Sequence, residues 1–98
     1  MDKVSRYRDA ARRTVELYAS WGAKGAADVV EEVVIDPVRD HYELRAIGWQ
    51  GGRRVDHSVV HIDIIGGKVW VQRDGTNRPV AEALVEAGVP KEDIVLGE

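Results

Sequence analysis

Two glycine pairs, Gly51-Gly52 and Gly66-Gly67, divide the middle of the chain into segments in which apolar and polar residues alternate. Glycine supplies the positive φ angles that two-residue hairpin turns need. Strands that are joined by such short turns must pair antiparallel, because a parallel pair needs a long crossover connection. The centre of the chain is therefore predicted to be an antiparallel β-meander.

Four segments are predicted to be the strands of this meander. The first is rich in β-branched residues and ends at the turn signal Asp36-Pro37. The other three show a period of two, so that each presents one apolar and one polar side. In chain order the predicted strands are Val29–Ile35, His41–Trp49, Arg54–Ile65 and Lys68–Arg73.

Helical periodicity flanks the meander on both sides. Residues 2–21 form an amphipathic helix that ends at Gly22, and a second helix ends at Gly88. Thr76 or Asn77 caps this second helix. After it we expect a helical turn and a short apolar exit, Ile94-Val95-Leu96. The prediction is a single α+β domain over residues 1–98, in which an N-terminal helix, a four-stranded antiparallel meander and a C-terminal helix pack together.

The charge of the chain is unevenly distributed. The net charge is −3, with six Lys/Arg against three Asp/Glu in residues 1–24 and eight against fourteen in residues 25–98. This balance disfavours a strongly basic nucleic-acid binder and suits a basic protein partner.

Cysteine is absent, which excludes disulfides and thiol chemistry. No apolar run approaches the roughly 20 residues that span a bilayer, and the N-terminus has no targeting pattern. We therefore expect a cytoplasmic protein without membrane contact.

Two groups of polar residues are candidates for metal binding or catalysis. His61 and Asp63 lie two residues apart on one strand face, and His57 joins them if no bulge intervenes. Together they form a candidate metal set for a small hydrolase or nuclease, although a solvated or partner-facing strand surface explains the pattern better. The neighbours Asp40 and His41 point to opposite sides of a strand and cannot act on one atom.

Two tryptophans near the hairpin ends are candidates for packing or for recognition. Trp70 lies between Val69 and Val71, and we expect it in the core. For Trp49, beside a Gly-Gly turn, the core and an interface are both open interpretations. The sequence contains no phosphate-binding loop and no nucleophile–base pattern.

Many short sequence motifs, which follow one another in a single order along nearly the whole chain, resemble those of the XisI family of fdxN element excision controlling factor proteins. Asn77 departs from the glutamate that members usually have. The motifs that carry the resemblance are Asp36, Arg39-Asp40-His41-Tyr42, Gly48-Trp49, Arg54-Val55, His61-x-Asp63-Ile64, Gly67-Lys68-Val69-Trp70-Val71-Gln72, Asp74-x-Thr76 and Gly88-Val89-Pro90-Lys91-Glu92-Asp93-Ile94-Val95-Leu96-Gly97.

The resemblance implies an α+β fold and an accessory role beside XisH, a nuclease-like protein, in the excision of a DNA element that a separate recombinase cuts. It implies no catalytic residue. The leading hypothesis is therefore a non-enzymatic protein without cofactor or metal that binds an XisH-like protein or a second copy of itself, with direct DNA contact left open. The partner-binding residues are predicted to be Arg39, Asp40, His41, Trp49, His61 and Asp63. The alternatives are the metal-dependent hydrolase or nuclease using His57, His61 and Asp63, and a small-ligand-binding module.

Overall fold

The structure, a computed structural model, describes residues 2–21, 28–76 and 78–97 of the chain. The described residues contain the following elements, in chain order: α1 (Lys3–Trp21), β1 (Val29–Asp36), β2 (His41–Gln50), β3 (Arg53–Ile65), β4 (Lys68–Asp74), α2 (Val80–Glu86), a 3₁₀ turn (Lys91–Asp93) and β5 (Ile94–Leu96). Within these ranges, no helix has both the length and the apolar character that crossing a membrane requires.

The strands form one sheet in the order β1-β2-β3-β4-β5. The antiparallel meander of β1 to β4 is confirmed, and its two glycine-pair turns have φ angles between 57° and 78°. The predicted strand count was one too low. The segment Ile94–Leu96, expected as an apolar exit, pairs parallel with β4. Helix α2 lies between these two strands and supplies the crossover that a parallel pair needs.

Both helices pack on one face of the sheet, which we call the inner face. The amphipathic helix predicted at the N-terminus is confirmed as α1, and the side that it buries carries Tyr7, Ala11, Val15 and Tyr18. From α2, Val80 and Leu84 join the same core. The strands contribute alternate side chains to it, namely Tyr42, Leu44, Val60, Ile62, Ile64, Val69 and Val71.

The beginning of α2 differs from the expectation. Helix α2 begins at Val80, and Thr76 does not cap it. Instead, the backbone N–H of Val80 donates a hydrogen bond to a carboxylate oxygen of Asp74 at 3.0 Å. An acceptor on the preceding strand therefore satisfies this first N–H group, which has no partner inside the helix. Asn77 and Gly22, the other two predicted boundary residues, lie outside the described residues.

All three tyrosines lie in the core, and we expect the fold to lose stability in alkali for this reason. Burial raises the pKa of Tyr7 and Tyr42 to about 12, and it also raises the pKa of Tyr18 from its ordinary value of 10.0. Because the folded state favours the neutral phenol, this stabilisation is complete below pH 10 and is lost as the pH rises towards 12. Urea unfolding at increasing pH, followed together with phenolate absorbance, measures the loss. Full ionisation of the tyrosines near pH 10 in a chain that remains folded would contradict the prediction.

Candidate functional site

The face of the sheet opposite the helices carries the candidate site. We call it the open face and define it by the outward side chains of β2, which are His41, Glu43, Arg45, Ile47 and Trp49, together with the side chains beside them on β1, β3 and β4. No described helix packs on this face. Its apolar residues are therefore exposed, with Val30 at 62%, Trp49 at 54% and Ile65 at 50% of their full accessibility.

Three polar side chains meet at one end of the open face. The register of β2 and β3 places His41 opposite Asp63, and Glu43 opposite His61. The Nδ1 atom of His41 lies 2.6 Å from Oδ1 of Asp63, and the Nε2 atom of His61 lies 2.8 Å from the same oxygen. The three ligand-type atoms all lie within 4.8 Å of one another. We call these three residues the His-Asp-His cluster; they are the described group that could hold a metal ion.

The carboxylate of Asp63 organises the cluster electrostatically. Asp63 is only 7% exposed, although it lies on the open face. The side-chain amide of Gln72 donates a hydrogen bond to its other oxygen, Oδ2, at 3.3 Å. The hydrogen bond to Asp63 raises the pKa of His41 above its usual value of 6.5. The cluster therefore combines a nearly buried carboxyl group with two imidazole rings, and imidazole is a common metal ligand.

His57 does not belong to this cluster, and the predicted grouping of His57 with His61 and Asp63 is wrong. A β-bulge at Val59 interrupts the pairing of β2 with β3 between Leu44–Val60 and Arg45–Ser58. The extra residue shifts the alternation of side chains. His57 consequently lies opposite Ala46, on the inner face. The bulge removes His57 from the candidate metal set, and register brings His41 into it.

Asp40 and Arg39, two further predicted site residues, lie in the turn before β2. Asp40 has a φ of 59° and accepts hydrogen bonds from Nε of Arg8 at 2.7 Å and from the hydroxyl group of Tyr42. It therefore ties α1 to the inner face, and its side chain is on the opposite side of the sheet from His41. Arg39 is exposed and pairs with Asp36, the last residue of β1.

The two tryptophans of the sheet both lie on the open face. Trp70 stands opposite Asp63 and is half-buried there, so the prediction that it packs in the core is wrong. Its neighbours Val69 and Val71 face the core, and alternation places Trp70 on the other side. Trp49 lies at the far end of β2 from His41, about 26 Å away at the usual rise of a strand. The structure therefore separates Trp49 from the His-Asp-His cluster.

A shallow groove of about 590 Å³ lies on the other side of the molecule, between α2 and β5. Its apolar lining comes from Val85, Ile94 and Leu96, and charged residues of α2 and Lys91 form its rim. The groove is large enough for a small ligand but lacks a set of convergent polar groups. The small-ligand hypothesis stays a prediction.

Gln72 donates a hydrogen bond to the His-Asp-His cluster, and the sequence did not indicate this role. It occupies a second bulge, in β4, where His61 pairs with Arg73 and Ile62 pairs with Val71. Strict alternation from Val71 would still place Gln72 on the open face, but only the register of β3 with β4 shows that it reaches Asp63. A count of residues back from the Gly66-Gly67 turn was the one available signal.

Comparison with known proteins identifies close relatives of this chain. A family model described as XisI protein matches residues 1–98. The crystal structure of a XisI-like protein from Anabaena variabilis is 41% identical with a TM-score of 0.88, and the match covers 98% of this chain and 86% of that chain. The fdxN element excision controlling factor XisI from Anabaena variabilis is 32% identical with a TM-score of 0.84, over 98% and 86% of the two chains. The comparison with curated proteins finds no match.

These findings confirm the resemblance that the sequence motifs indicated. The family model spans the sequence, and both solved structures combine the same fold with more than 30% identity. The α+β architecture described above is the architecture of these relatives. This chain therefore belongs to the XisI family.

Proposed function

We propose that this chain is a non-enzymatic accessory protein in DNA-element excision or related DNA processing, and that it acts by binding a protein partner through the open face. Family membership supports the process, because the relative at 32% identity is an excision controlling factor. The single observation that carries the binding mode is the uncovered open face, with Trp49 exposed at one end of β2 and Val30 exposed on the edge strand β1. Because the process acts on DNA, the proposal includes a cytoplasmic location.

The size of the open face supports a stable interface. At standard strand spacing, five strands are about 19 Å across, and β2 is about 33 Å long, so the flat face measures on the order of 600 Å². A typical specific interface buries about 800 Å² on each partner. The open face alone therefore approaches this area, and the exposed turns at its ends would have to supply the remainder.

The chemistry of the open face supports recognition of a protein. Trp49 is more than half exposed, and the guanidinium group of Arg54 lies 5.5 Å from the centre of its ring. Tryptophan and arginine are enriched among the residues that dominate binding energy at interfaces. We therefore assign Trp49 as the principal contact, with His41, His61 and Asp63 at the other end of the same surface.

The first partner to test is an XisH-like nuclease. The acidic excess of residues 25–98 supports a basic protein partner rather than direct contact with the phosphate backbone. The alternative of a hydrolase or nuclease has lost His57 from its metal set, and we propose no reaction for the remaining residues.

We expect Trp49→Ala to weaken the complex with an XisH-like nuclease from the same genome about 30-fold, because hot-spot truncations cost about 2 kcal/mol or more. Val30→Asp places a charge on the same face and should have a similar effect. Titration calorimetry with the purified proteins measures both. Val85→Asp is the matched control, since Val85 is 45% exposed but lies on α2.

Three results would overturn this proposal. The first is the absence of binding between the two purified wild-type proteins. The second is a loss of binding in Val85→Asp that leaves Val30→Asp unaffected, which would assign the contact to the groove beside α2. The third is self-association through Trp49, detected by light scattering of the chain alone, which would assign the open face to a second copy of this chain.

A further inference from the structure

The His-Asp-His cluster brings two imidazole nitrogens and one carboxylate oxygen within 4.8 Å of one another on the open face. Asp63 is a carboxylate with 10% of its side chain accessible, and a buried charge is costly unless an opposite charge compensates it. The described hydrogen-bond partners of its side chain are His41, His61 and Gln72, and none of them carries a permanent positive charge. A cation between the two imidazoles and the carboxylate would supply that charge.

From this geometry we propose that His41 Nδ1, His61 Nε2 and Asp63 Oδ1 bind one divalent transition-metal ion. Imidazole nitrogen with a single carboxylate oxygen suits Zn²⁺, Co²⁺ or Ni²⁺. Ca²⁺ and Mg²⁺ prefer shells made of oxygen atoms, which this cluster does not offer. The proposal does not depend on the partner proposal, because it concerns an ion and not a protein.

The distances allow an ion to enter with small side-chain movements. Zn²⁺ binds nitrogen and oxygen ligands at about 2.0–2.2 Å, so two ligands of a tetrahedral site stand about 3.4 Å apart. Oδ1 of Asp63 lies 2.6 Å and 2.8 Å from the two histidine nitrogens, and no pair of the three atoms exceeds 4.8 Å. The two contacts to Asp63 must therefore lengthen by about 0.6–0.8 Å. The side chain of His41 is 49% exposed and has the freedom to make this movement.

The surroundings of the cluster are those of a supported metal site. The strand ladder fixes the three backbone positions, because His41 and Asp63 are direct partners in register and His61 precedes Asp63 by two residues on the same strand. Gln72 holds Oδ2 of Asp63, which leaves Oδ1 directed at the two histidines. Outer hydrogen bonds of this kind orient metal ligands in proteins. To bind the ion, the histidine nitrogens that face Asp63 must carry no proton: a neutral imidazole then has its proton on the other ring nitrogen, and an imidazolium releases one proton.

The test uses the complete chain without a purification tag and Zn²⁺ or Co²⁺ as the probe. We expect calorimetry to show one ion per chain, and Co²⁺ to develop an absorption spectrum typical of nitrogen and oxygen coordination. His41→Ala, His61→Ala and Asp63→Asn should each weaken binding at least about tenfold, and Gln72→Ala should weaken it about tenfold through the orientation of Asp63. His57→Ala is the matched control and should bind as the wild type does.

Two results would overturn the site. Wild-type chain that binds neither ion would leave the cluster as a hydrogen-bonded surface group. Equal weakening by His57→Ala and His41→Ala would show adventitious binding to surface histidines. Thermal unfolding of each variant without metal accompanies the titrations, and His41→Ala, whose side chain is the most exposed of the three, gives the decisive titration even if Asp63→Asn fails to fold.

Discussion

Ile62→Ala is expected to lower the free energy of unfolding by about 4 kcal/mol, within the range measured for truncation of large buried aliphatic side chains. Ile62 lies on β3 near the centre of the sheet, is 0% exposed and packs against the α1 side of the core. The truncation removes apolar contact and leaves a cavity that the flat strand ladder cannot close. In a domain of this size, each kcal/mol shifts the melting temperature by roughly 4–8 °C, so the expected decrease is large.

Ile65→Ala is the matched control for this prediction. Ile65 lies on the same strand but on the open face and is 50% exposed. Its truncation should change the free energy of unfolding by less than about 1 kcal/mol, because little buried area is lost. Urea unfolding of both variants measures the difference. Equal effects of the two truncations would contradict the assignment of inner and open faces on β3.

Gly48→Ala is expected to cost about 3 kcal/mol, because steric overlap and backbone strain act together at this position. Gly48 lies in β2 with a φ of 153°, a value that side-chain-bearing residues rarely adopt. A Cβ atom there would lie 2.0 Å from the carbonyl oxygen of Asp28 and 2.8 Å from Cα of Val29. Both contacts are with backbone, so β1 would have to move away from β2 at its first pair.

Gly51→Ala separates the two contributions to this effect. Gly51 has a positive φ of 57°, but apart from Gly51 and its two chain neighbours no residue has a heavy atom within 4 Å of the position that a Cβ would take. Gly51→Ala should therefore lower the free energy of unfolding only by the backbone strain, about 1–2 kcal/mol. Thermal and urea unfolding of the two variants, with hydrogen exchange of the β1 amides, give the comparison. A Gly48→Ala variant as stable as Gly51→Ala would show that β1 does not approach β2 this closely.

The local elements of this fold could be predicted from the sequence because their signals are local. The stripe of Tyr7, Ala11, Val15 and Tyr18 repeats with the period of a helix, and the two glycine pairs permit the turns. Strand β5 could not be predicted in the same way. Its three residues carry no periodicity, and they become a strand only because α2 returns them to the edge of β4.

The candidate site shows the same difference between features that could be predicted from the sequence and features that only the tertiary structure shows. His61 and Asp63 share a face because two residues on one strand always do, and that part of the cluster was visible in the sequence. The third member of the cluster, His41, could not be identified from the sequence. With an unbroken register from the Gly51-Gly52 turn, His41 would have stood opposite Ile62; the single extra residue at the β3 bulge places it opposite Asp63 and puts His61 and Asp63 on the face opposite to that of His57.

The sequence alone therefore determined the order and kind of the elements, the family, and the residue types available for a site. The tertiary structure alone decided which of those residues meet, which face Trp70 and Trp49 occupy, and which strand closes the edge of the sheet. The physical reason is that helix and turn signals act over a few neighbouring residues. Bulges, registers and edge pairings instead minimise the free energy of the whole packed sheet, and one inserted residue changes every contact beyond it.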